Sequence, residues 1–150
     1  MAGQSFVEFA ILFPVLLLLL LIAIDFGRLF FTYVQVNNAA REGAAYAALA
    51  PKDTLGITAR ATQETNAQPK TQEGGAVTLT ISIACSDAST GTADPGCDGA
   101  AASKAGVGYH ATVTVTEPFQ FYTPLIGNFF GNPLTLTAST TAPVFGSLQP

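Results

Sequence analysis

Between Phe9 and Ile24 the chain carries no charged and no polar side chain, and six consecutive leucines, Leu16 to Leu21, form the centre of that run. At ~1.5 Å of rise per residue such a helix covers about 24 Å, short of a ~30 Å hydrocarbon core. Phe6, Val7, Phe26 and Leu29 make up the difference, so the stretch can cross a bilayer once. Its outlier is Glu8, a carboxylate at the leading edge of the run and five residues past Gly3. An acid at the edge of hydrocarbon is costly and marks a candidate function. Two readings of Glu8 stay open. It pairs with a cation inside a bundle of like helices, the cation being a free amino terminus made by cleavage after Gly3. Alternatively, it is an interfacial acid among headgroups in a simple anchor.

One hundred and fifty residues leave room for this span and one modest domain. Charged residues are only 11%, and a net charge of −4 offers no basic surface, which argues against nucleic acid as a partner. No small-x-small cleavage site follows the apolar run at the distance a secretory signal needs, because Ala48-Leu49-Ala50 comes far too late. Arg28 and Arg41 follow the run, each beside an acid (Asp25, Glu42), so charge asymmetry sets no orientation.

The helical pattern continues past the membrane length. It predicts one helix from about Gln4 to Leu49, roughly 70 Å long, closed by Pro51 because the residue before proline is pushed out of the α region. Pro14 removes one backbone hydrogen bond inside it and predicts a kink, and Gly27 is a second soft point. Ala39, Gly43 and Ala47 form one row of small residues at spacing four, and Ala40, Ala44 and Ala48 form another. Such rows let another backbone approach closely, although alanine is also simply a good helix former. Asp25 and Arg28, three apart, pair on one face and mark the exit from the membrane.

Beyond Pro51, Asp53 caps a short helix from Thr54 to about Asn66 with Leu55 and Ala59 as its apolar side, and Gln68–Gly75 reads as a linker. Alternation then predicts three strands: Val77 to Ile83, Val107 to Thr116 and Leu134 to Ser139. They make an antiparallel sheet with one greasy face, which the far half of the long helix is best placed to cover. The class is therefore α+β: a long N-terminal transmembrane helix packed against a small antiparallel sheet of three or more strands. The aromatic segment Phe119–Pro133 is expected to wrap the sheet edge or contact a partner.

Little in the chain points to catalysis or to a cofactor. His110 stands alone on the polar face of a strand, and no nucleophile elbow, zincin, phosphate-loop or dinucleotide motif occurs. Asp87, Asp94 and Asp98 lie in or beside the Cys85–Cys97 loop, where calcium is conceivable by ligand type, but solvated turn acids are the expectation. The two thiols make a poor zinc site. If this part of the chain is extracytoplasmic, Cys85 and Cys97 are expected to form a disulfide, adding roughly 2–3 kcal/mol.

Several blocks together resemble the TadE-like pseudopilins of the tight-adherence (Flp, type IVc) pilus system. They are Gly3-Gln-Ser-Phe-Val-Glu8-Phe-Ala, the leucine run, Asp25-Phe-Gly-Arg28 and Ala39-Ala-Arg-Glu-Gly-Ala44. The alternating strand, Thr123-Pro-Leu-Ile-Gly127 and Leu134-Thr-Leu-Thr extend the resemblance into the second half. It implies a three-residue leader (1–3) removed by a prepilin peptidase between Gly3 and Gln4, a transmembrane and assembly helix (4–50), and an extracytoplasmic α+β domain (51–150). Glu8 would be the fifth mature residue, pairing with the amino terminus of a neighbouring subunit. The implied partners are the peptidase, other pilin or pseudopilin subunits, the inner-membrane assembly platform and, before assembly, membrane lipid. The implied localisation is the inner membrane first and the extracellular pilus afterwards, with a role in adhesion and biofilm formation.

The leader lacks basic side chains, and Ala45 stands where the family often has Arg. The C-terminal domain is larger than in short major pilins, which favours a minor, priming or tip role. The other reading is a single-pass anchored extracytoplasmic binding domain that never enters a pilus.

Overall fold

The computed structural model describes residues 2–66, 79–93 and 108–145. Helix α1 (Ala2–Leu49) is unbroken, with Pro14 inside it, and at ~1.5 Å per residue it is about 72 Å long. The Ala50 N–H still donates to the Tyr46 carbonyl at 2.9 Å, after which Pro51 ends the helix. There follow α2 (Thr54–Asn66), β1 (Thr80–Asp87), β2 (Tyr109–Phe119), α3 (Pro124–Phe130) and β3 (Leu134–Pro143). The expected linker and the expected strand starts at Val77 and Val107 lie outside the described residues.

By contacts the chain divides into two compact units, Met1–Thr32 with Phe119–Leu134, and Tyr33–Pro118 with Thr135–Pro150. The second holds the hydrophobic core. Its three strands lie in the order β1-β2-β3. β1 runs antiparallel to β2 with Ile81 opposite Val115 and Ile83 opposite Val113. Because successive side chains in a strand point to opposite faces, Ala111, Val113 and Val115 of β2 and Ala138 of β3 are buried together on one face.

That face is covered by the last third of α1. Val36, Ala39, Ala40, Gly43, Ala44, Ala47 and Ala48 are buried, at the i, i+3, i+4 spacing of one helical stripe. Their small size sets the approach: a Cβ on Gly43 would lie 3.0 Å from Val113 Cγ1 and 3.3 Å from Ala61 Cβ. Helix α2 closes the core with Ile57, Ala61 and Thr65.

The expected apolar side of α2 is corrected here, since Leu55 is 83% exposed and Ala59 is exposed as well. At 100° per residue Leu55 lies about 200° from Ile57. The rotation is set by Asp53, whose Oδ1 accepts the Gly56 N–H at 2.9 Å while Oδ2 accepts the Tyr46 hydroxyl at 2.7 Å.

The other face of the sheet is a ladder of hydroxyls. Thr112 bonds Thr141 at 2.8 Å, Thr114 bonds Ser139 at 3.0 Å and Thr116 bonds Thr137 at 3.3 Å. β-branched threonine suits a half-buried strand, and these cross-strand pairs hold β2 and β3 in register.

Candidate functional site

The first half of α1 buries almost nothing. From Phe6 to Ile24 every side chain is exposed or half-buried, with Phe6 at 76% and Ile11 at 69%. This helix is long and apolar enough to cross a membrane. Glu8 lies on its exposed surface, and so does Gly3, about 7.5 Å further back along the axis at ~1.5 Å per residue. Gly3 and Gln4 fall in the first turn, where backbone N–H groups have no intrahelical acceptor.

Asp25 is the exception to that exposure, and the exit-marker reading understated it. Its side chain is fully buried. Oδ2 accepts the Thr123 N–H at 2.8 Å, and Oδ1 accepts the Tyr122 N–H at 3.1 Å. The Arg28 guanidinium completes the site, 3.4 Å from Asp25 Oδ1 and 3.7 Å from the centre of the Tyr122 ring, with the Phe119 ring at 5.2 Å. A charge-assisted bond is roughly twice as strong as a neutral one, and a cation over an aromatic face adds ~0.5–2 kcal/mol.

The segment Phe119–Pro133 is more ordered than its composition suggested. It folds into α3 and fastens onto α1 through Asp25 and Arg28. Thr123 precedes α3 in extended geometry and Pro124 opens it, the position where a missing N–H is harmless. Asn132 Oδ1 accepts the Phe121 N–H at 3.4 Å, and Phe119 meets Phe121 edge-on at 5.2 Å. The sequence signal for this dock was an acid closing an apolar run, together with a distant segment, residues 119–134, that has no charge at all.

The other candidates are scattered. His110 is half-buried on the hydroxyl face, opposite Ser86 of β1. Asp87 closes the turn after β1, its Oδ1 accepting from the Ser89 hydroxyl at 2.5 Å, the Ser89 N–H at 2.7 Å and the Thr90 N–H at 3.2 Å. The Ser89 hydroxyl, then the two turn amides, hold this carboxyl below its ordinary 3.8. Asp94, Asp98 and Cys97 lie outside the described residues, whereas Cys85 is buried in β1. Among the described residues no three His, Cys, Asp or Glu side chains cluster as a metal site.

A family model described as TadE-like protein matches residues 3–45, which is most of α1 and less than a third of the chain. No curated protein and no solved structure matched the chain. The matched segment begins at Gly3, carries Glu8 and Asp25 and ends among the buried alanines.

Proposed function

We propose that this protein is a pseudopilin, a structural subunit of a Tad pilus with no catalysis of its own. The observation that carries the reading is the Gly3–Glu8 spacing at the head of one unbroken helix that is apolar on every side from Phe9 to Ile24. A prepilin peptidase cuts between Gly3 and Gln4, and the apolar helix holds the subunit in the inner membrane with the sheet outside. The assembly platform then draws the helix into the packed centre of a filament. There a buried carboxylate needs a partner charge, because an ion stranded in an apolar interior is strongly destabilising. The new amino terminus of the adjacent subunit supplies that charge to Glu8. The large second unit of the chain favours a minor, priming or tip subunit.

A second reading rests on the exposed rings of Tyr122, Phe129 and Phe130, which would suit an anchored binding domain outside any pilus. The mature N-terminus separates the two. Mass spectrometry of protein expressed with its peptidase is expected to find Gln4 first, and an intact Met1 would sink the pseudopilin. Glu8→Val is expected to leave insertion and folding unchanged while abolishing recovery in sheared pili. Normal recovery would refute the pairing role.

A further inference from the structure

We propose that residues 119–133 are a second membrane contact, a short wedge lying in the bilayer leaflet beside the Ile24–Leu29 end of the α1 span. The inference rests on the reading of α1 as membrane-spanning. Four observations carry it.

The wedge is chemically suited to lipid. Residues 119–134 contain no charged side chain, and Phe129 is 85% exposed, Phe130 58% and Tyr122 55%. Phe129 and Phe130 meet edge-on at 5.4 Å, so the most exposed rings form a pair rather than scattered exposure.

Its backbone is prepared for a medium that cannot hydrogen-bond. Irregular backbone inside hydrocarbon is tolerated only where its polar groups find protein partners. Here the Phe121 N–H goes to Asn132 Oδ1, the Tyr122 and Thr123 N–H groups go to Asp25, and the Ile126 and Gly127 N–H groups return to the Thr123 carbonyl.

Its attachment lies at the right end of the span. Asp25 and Arg28 fasten it where the apolar run stops. From Thr123 and Pro124 an apolar groove of about 470 Å³ runs back along Leu21, Leu17 and Phe13. Phe13 is twelve residues before Asp25, about 18 Å along the helix at ~1.5 Å per residue, which is well inside the hydrocarbon. The groove offers an acyl chain almost nothing but carbon.

Finally, the boundary is marked as membrane boundaries are. Arg28 lies over the Tyr122 ring at 3.7 Å, and Tyr and Arg are the residues that settle at the headgroup level with an apolar body and a polar tip.

The chain has no tryptophan, so single replacements report position directly. Full-length Phe129→Trp and Leu17→Trp proteins are placed in vesicles made with lipids brominated at defined acyl depths, and iodide serves as the aqueous quencher. Both are expected to lose most of their emission to brominated lipid and little to iodide. Bromines near the glycerol end should act best on Trp at 129, and those near the bilayer centre on Trp at 17. Phe130→Trp repeats the reading if Phe129→Trp fails to fold. Emission from 129 that iodide quenches and lipid does not, with 17 still quenched by lipid, overturns the wedge and leaves the span intact. Protection of 129 from both quenchers overturns it in favour of a second copy on the patch. Loss of lipid quenching at 17 as well overturns the spanning reading itself.

Discussion

The two halves of α1 share one backbone and differ in side-chain size. From Phe6 to Ile24 the residues are mostly phenylalanine, leucine, isoleucine and valine, and none is buried; from Val36 to Ala48 the inward positions are mostly alanine or glycine, and all are buried. Large side chains on every side of a helix suit a solvent that is itself hydrocarbon, since no protein neighbour has to fit around them. Small side chains along one stripe suit a neighbour that comes close, here Val113 and Ala61. Side-chain volume, more than hydrophobicity, distinguishes the half suited to lipid from the half packed against protein.

The contrast is most easily broken by truncating one large residue on each side of it. Ile57 is fully buried between α2 and the stripe on α1, so Ile57→Ala is expected to destabilise the folded protein by about 2–5 kcal/mol. Leu17→Ala removes the same amount of carbon from a side chain that is 44% exposed. It is expected to leave the denaturant midpoint of the detergent-solubilised protein unchanged. Equal losses from the two variants would show that the first half of α1 also packs inside a protein core.

Asp25 is the one place where the first half behaves like the second. Its carboxylate is the acceptor for two backbone N–H groups from residues 97 and 98 positions away. Asp25→Leu keeps the position apolar and strands both donors, at about 1–3 kcal/mol each. The expected result is faster amide exchange at Tyr122, Thr123 and the α3 residues, with exchange in β2 between Ala111 and Val115 unchanged. Unchanged exchange in α3 would mean that its ring contacts hold it without the clamp.

These sequence distances separate what could be read in advance from what could not. Pro51, the Asp53 cap and strand alternation act within a few residues, and they placed the end of α1, the span of α2 and the inward face of each strand correctly. The buried face of α2 was misjudged because Leu55 is the more apolar choice locally. Its rotation is decided by Asp53 holding Gly56 and Tyr46. Helix α3 has seven residues, too few to display a period, and its anchor lies almost a hundred residues earlier. The Gly3–Glu8 spacing was legible as a pattern, whereas the acid closing the apolar run at Asp25 did not tell which amides reach it, because they lie almost a hundred residues on.

A second acid gives the local counterpart of that long-range clamp. Asp53 also receives a backbone N–H, from Gly56 three residues on, and a hydroxyl from Tyr46. The Gly56 amide first, and the Tyr46 hydroxyl second, hold its carboxyl below the ordinary 3.8. A group depressed on folding contributes stability that is present above its unfolded value and is lost as pH falls through the lower folded value. The start of α2 is therefore expected to loosen only below the usual aspartate range. Followed by NMR, the Gly56 amide shift should titrate with a midpoint below 3.8. Tyr46→Phe should raise that midpoint without abolishing it, because the larger contribution comes from the amide, and Asp53→Asn should abolish it. A midpoint at or above the ordinary value in the unmodified protein would mean that the cap is not held in solution. The rotation of α2 would then have to come from Ile57 and Ala61 alone.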